Sequence, residues 1–177
     1  MRRYKPSLSH ALICAIVMGL IPIIPTAAAG LAWTGLVDAP GATAQIHGKV
    51  FKLDIAASPR AREIGLSQTD SLPEDRGMLF LFDKPDYYPF WMKGMKFPLD
   101  ILFIRDSTIV SIKRNLQPPT SEGNPPSYAP EQPADRVLEI NAGLCDKYNI
   151  NVGDVVRITF GPGYSLAEPA ASAQKIQ

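Results

Sequence analysis

The chain has 177 residues, with 18 Lys and Arg against 17 Asp and Glu and a formal charge of +1. Arg2, Arg3 and Lys5 account for three of the basic residues, so the part beyond residue 29 holds 15 basic against 17 acidic residues, a formal charge of −2. No basic block lies in that part, which argues against nucleic acid and against anionic membrane surfaces as partners.

The chain opens on MRRYKPSLSH and continues ALICAIVMGLIPII, then PTAAAG. The apolar run is about 14 residues, short of the roughly 20 that a spanning helix needs. A basic start, a short apolar run and the A-x-A of Ala27 and Ala29 read as a signal peptide, residues 1–29, cut after Ala29. Pro22 and Pro25 count against an uncleaved anchor. The expected place is therefore outside the cytoplasm, periplasmic or secreted, with no stable membrane span after cleavage. Residues 30–44, rich in small residues, read as a flexible leader. Residues 45–160 read as a single β-rich domain, and 161–177 as a disordered tail.

Cysteine is scarce. After cleavage only Cys145 remains, so an internal disulfide is excluded and the core has to carry stability alone. Cys145 stands in NAGLC, among apolar and small residues, and reads as a packing residue. The alternative, a reactive thiol, would want a basic neighbour, and Lys147 is the nearest.

In chain order, QIHGKVFKLDIAAS alternates around His47-Gly48 and predicts one or two strands with a turn there. SPRAREIGLSQ predicts a short helix, with Ser58 as cap, Pro59 in the first turn and Gly65 as the stop. GMLFLF, FWMK and FPLDILFI predict three strands, and IVSIKR returns after the RDST turn as a fourth. Residues 115–135 hold Pro118, Pro119, Pro125, Pro126, Pro130 and Pro133, which excludes a helix and disfavours a central strand. Tyr128 could pin this segment to the body. RVLEI predicts a strand, NAGLCDKYN a short helix capped by Asn141, and VVRITF the closing strand. The expected fold is α+β and mostly antiparallel β, a compact curled sheet or barrel-like sandwich with two short helices.

Strand alternation then singles out four side chains. Within FWMK it puts Phe90 and Met92 on one face and Trp91 and Lys93 on the other. Asp100 shares a face with Leu102 and Ile104, and Glu139 stands between Leu138 and Ile140. An acid on a largely apolar face is costly without a partner. Two readings stay open. In one, Trp91, Lys93, Asp100 and Glu139 converge as a ligand-binding cluster, an indole beside charged groups of the kind that holds small polar ligands, sugars included. In the other, Asp100 binds backbone amides near Gly94 and Trp91 fills the core.

Several chemistries lack their parts. His47 is the only histidine beyond the signal, so a usual zinc site is excluded, and no calcium loop or other metal motif is present. There is no GxSxG, P-loop or dinucleotide glycine pattern, and no cofactor is expected. Asp100 with Glu139 could form the carboxylate pair of a glycoside hydrolase if they faced one cleft.

The strings GL at 65–66, GMLFLF, FWMK, PLDILFI, Tyr128-Ala129, VLEINAG and GD at 153–154 stand in the order found in the domain of unknown function 192 family, which the chain resembles from about Lys49 to Phe160. The resemblance implies a compact β-rich domain, often exported, and no established activity. Trp91, Lys93, Asp100 and Glu139 match the family pattern by position. Two places depart from it: Gly94-Met95 follows Lys93 where the family reads Asn-Thr, and SQTD follows the first GL where the family tends to have Met and Arg.

Three functional readings follow. The first is a non-catalytic exported module that binds a small polar ligand or a cell-envelope protein. It expects a concave pocket and a partly open Trp91. The second is a structural or assembly factor, with Trp91 buried. The third is a hydrolase-like enzyme using paired carboxylates.

Overall fold

A computed structural model describes residues 39–120 and 125–162. The segment read as a signal peptide, residues 30–38 of the leader, and the tail from 163 onward lie outside the described residues. Among the described residues, no helix is long and apolar enough to cross a membrane.

The fold begins inside the segment read as a leader. Strand β1 (Ala39–Ile46) turns through His47 and Gly48, both at positive φ (47° and 81°), into β2 (Lys49–Ala56). Two successive positive-φ residues suit the tight hairpin turns whose twist matches paired strands. Ala42, Ala44 and Ile46 are buried at alternate positions of β1, so strand geometry extends well before residue 45.

Helix α1 (Pro59–Ile64) follows its sequence signals closely. The Ser58 side chain accepts from the Ala61 amide at 3.2 Å, Pro59 opens the first turn, and Gly65 closes it at φ 48°. Strand β3 (Arg76–Asp86) then pairs with β2 in parallel, so one βαβ unit is present although the sequence shows no run of alternating strands and helices.

Strand β5 (Leu99–Arg105) and β6 (Thr108–Leu116) form the predicted hairpin, and β8 (Ala134–Asn141) inserts between β5 and β3. Strand β9 (Arg157–Phe160) pairs with β1. The seven-stranded sheet has the order β6-β5-β8-β3-β2-β1-β9, and β2–β3 is its one parallel pair. It curls until the edge strand β6 is tied at one end to the segment leading into β9, where Thr108 bridges Val155 and the Ile109 amide donates to the Asp154 carbonyl at 2.9 Å. The sheet does not close into a barrel; the architecture is an α+β sandwich of mostly antiparallel strands.

Two shorter strands stand apart from the main sheet. Within FWMK only β4 (Phe90–Trp91) is a strand; Met92–Met95 form a turn, with the Met95 amide donating to the Met92 carbonyl. Its partner is β7 (Ser127–Tyr128), from the proline-rich segment, with Phe90 opposite Tyr128. Tyr128 thus anchors that segment to the body.

Each face of the sheet has its own core. Phe51, Leu53, Ile55, Leu79, Leu102, Ile104, Leu138 and Ile140 pack on one face, with Cys145 of α2 (Leu144–Lys147). Met78, Phe80, Ile101, Phe103 and Val137 pack on the other, beneath α1, Leu66 and the β4 turn with Met92 and Met95. Period-two alternation along β3, β5 and β8 sends successive residues to opposite cores. Cys145 is fully buried, and burial raises its thiol pKa, as suits a packing residue.

Candidate functional site

The second core is incomplete. Between α1, β3 and the β4 turn lies a cavity of about 350 Å³, and Trp91, Lys93 and Glu139 all line it. The fold therefore brings three of the four singled-out residues to one place, Lys93 from the turn after β4.

The walls are aromatic. Phe80, Phe82 and Phe90 come from β3 and β4, with Phe90 edge-on to Phe80 at 4.9 Å and Tyr88 stacked on Phe82 at 3.7 Å between ring centres. Trp91 is 51% exposed, and the Lys93 ammonium sits over its ring, 5.5 Å from the centroid. This pair forms the open rim. Arg62 of α1 enters from the opposite wall, but its guanidinium is engaged: it donates to the carbonyls of Ala57 and Leu81 and lies over the Phe82 ring.

Glu139 is unlike the other buried acids. It is 5% exposed, lines the cavity, and receives no hydrogen bond or ion pair from the described residues. Burial alone pushes its pKa up to about 8, so the group is mostly neutral at pH 7. Asp54 provides the contrast. It lies on the same face of the sheet, one strand beyond Met78, and both its oxygens accept from the Arg76 guanidinium at 2.9 and 3.0 Å.

Asp100 does not join the cluster. In an antiparallel pair, directly opposite residues share a face. Asp100 is opposite Ile140, and Ile101 is opposite Glu139, so the two carboxylates point to opposite sides of the sheet. Asp100 accepts from the backbone amides of Asn115 at 2.8 Å and Cys145 at 2.9 Å. It binds backbone amides, as the structural reading held, but at β6 and α2 and not near Gly94. The predicted convergence is thus corrected at Asp100, and the paired-carboxylate arrangement fails with it.

Some of the cavity was missed from sequence. Phe80 and Phe82 share a face with Met78 by simple alternation within GMLFLF, and that signal was available. Arg62 and Tyr88 had none, because their approach to the cavity depends on how α1 and the end of β3 pack. The two departures from the family pattern prove to be neighbours. Gly94 adopts φ 73°, a conformation that Asn also tolerates, and a Cβ placed there would lie 3.2 Å from the Cβ of Ser67 in SQTD. Ser67 and Met95 both line the cavity.

The family model of uncharacterized ACR proteins, DUF192, matches residues 42–158. The chain belongs to the domain of unknown function 192 family. Two solved structures are similar to this DUF192 chain. One is a protein of unknown function from Novosphingobium aromaticivorans, 32% identical, with a TM-score of 0.59, covering 66% of this chain and 83% of that one. The other is described as a proposed transcription regulator from Sinorhizobium meliloti, 31% identical, with a TM-score of 0.61, covering 69% and 95% respectively. A comparison with curated proteins found no match.

Proposed function

We propose that this DUF192 domain is an exported, non-catalytic module that binds a small organic ligand in the cavity between α1, β3 and the β4 turn. The observation that carries the reading is Glu139, a buried residue whose carboxyl lines the cavity and has no partner among the described residues. A carboxyl facing a mostly apolar cavity is poorly solvated, which shows as a raised pKa. A ligand that hydrogen-bonds it there gains more than at the open surface. The cavity volume falls in the range of small-molecule sites, which are mostly apolar with a few placed polar groups. The half-open Trp91 favours this reading over a scaffold role, which would want the ring enclosed. The regulator description of the Sinorhizobium meliloti protein does not carry over readily, because the chain beyond residue 29 has a formal charge of −2.

The test is a thermal-shift screen of the purified domain with sugars, amino acids, amines, nucleosides and short organic acids. Some compound should raise the melting temperature of the wild-type protein, and Glu139→Gln and Trp91→Ala should each reduce that shift. A stabilising compound indifferent to both substitutions would place binding elsewhere. A screen without any such shift would count against the cavity as a ligand site. Export is tested separately, by sequencing the N-terminus of the protein recovered from the cell envelope.

A further inference from the structure

We propose that the ligand carries a protonated amine, which docks on Glu139 at the cavity floor and displaces the carboxyl proton to solvent. This rests on the reading of the cavity as a ligand site and specifies the chemistry of its occupant.

The charge the floor lacks is positive. Five titratable or charged groups face the cavity: Arg62 and Glu63 from α1, Tyr88 and Lys93 from the segments flanking β4, and Glu139 from β8. Arg62 is held by two carbonyls and the Phe82 ring, and Lys93 by the Trp91 ring at the open rim. Glu63 and Lys93 are exposed, where water and salt screen them. Of these five, Glu139 alone is buried and without a partner among the described residues, so it is where a ligand charge would count most. The surrounding rings suit the approach of a cation, because an aromatic face attracts positive charge.

The proton balance is simple. The free carboxyl is mostly protonated at pH 7. An ammonium ligand binds the carboxylate form, and the proton leaves to buffer. Nothing is oxidised and no covalent bond is made to the ligand. A neutral ligand would accept a hydrogen bond from the carboxyl and release no proton.

The experiment compares phenethylamine, 2-phenylethanol and phenylacetate, which share a ring and differ in the polar group. Titration calorimetry at pH 7 in phosphate and in Tris separates proton release from binding heat. The amine should bind most tightly and release close to one proton. Its apparent affinity should rise with pH up to about 8 and then level off, as the carboxyl ionises. Glu139→Gln should weaken the amine about tenfold or more, the loss of one charge-assisted hydrogen bond, while leaving 2-phenylethanol nearly unchanged. Equal or tighter binding of the alcohol or the acid, amine binding without proton release, or no amine binding at millimolar concentration would each overturn the amine assignment. If a compound from the wider screen still binds in a Glu139-dependent way, the ligand site survives and only its chemistry changes. If none does, both fall.

Discussion

The Asp100 carboxylate, projecting from β5, accepts the backbone amide of Cys145 at 2.9 Å and so caps α2 from a strand 45 residues away. The first amides of a helix have no intrahelical partner. The residue before α2, Gly143, has no side chain to supply one, and Asn141 instead donates to the Leu72 carbonyl at 2.6 Å. The other Asp100 oxygen takes the Asn115 amide, which the irregular pairing of β6 leaves free beside it. One buried acid therefore holds a helix start and a strand irregularity together.

This gives the first prediction. Asp100→Asn keeps the size but turns one acceptor into a donor facing a backbone amide. Stability should fall by about 2 kcal/mol, within the range for hydrogen bonds to a charged group, and the melting temperature by several degrees. Ligand binding at the cavity should not change. A thermal melt matching wild type would remove the capping role.

Glu139 predicts a pH dependence with a definite sign. Its folded pKa, about 8, lies above its ordinary value of 4.5. Between those values the unfolded chain is ionised while the folded one keeps its proton, so the folded state binds more protons. Stability therefore falls as pH rises from about 5 to 8, by on the order of a few kcal/mol, and flattens beyond. Glu139→Gln cannot titrate and should lack this slope. Unfolding curves across that range for both proteins would test it, and parallel curves would refute the raised pKa.

Acid conditions act through a different residue. Lys113 and Ser111 hydrogen-bond the Glu131 carboxylate and hold its pKa down to about 2. The stability it contributes is present above its ordinary value of 4.5 and is lost as pH falls toward 2. The group is largely exposed, so the effect should be small and should shrink with added salt. Lys113→Met should flatten the acid limb of the stability curve; an unaltered limb would assign it elsewhere.

Gly77 of β3 lies opposite Ile140 of β8. A Cβ there would lie 2.6 Å from the Glu139 carbonyl oxygen and 3.1 Å from Ile140 and Leu53 side-chain atoms. The nearest of these is backbone and cannot swing aside. Gly77→Ala should cost about 1–3 kcal/mol, as overpacking does, seen as a lower urea midpoint with an unchanged slope. A variant as stable as wild type would show that the two strands can separate freely.

Trp91 should behave in the opposite way. With half its surface exposed, Trp91→Ala should change stability by less than about 1 kcal/mol. Ligand affinity should nevertheless drop, because the rim of the cavity is lost. A large loss of stability would instead assign the ring to the core.

Much of this was legible in local sequence, because the signals act over a few residues. Ser58, Pro59 and Gly65 bracket α1; His47-Gly48 turns β1 into β2; RDST turns β5 into β6. Each is a matter of backbone preference and nearest neighbours. Alternation also placed Asp100 and Glu139 correctly against their own strand neighbours. It could not relate one strand to the other. That depends on the register of β5 against β8, where Asp100 meets Ile140 and Glu139 meets Ile101. A slip of one residue would have put both acids on one face. Packing of the two cores chooses that register, through residues far apart in the chain. The same long-range choice leaves one acid capping a helix and the other alone at the floor of a cavity.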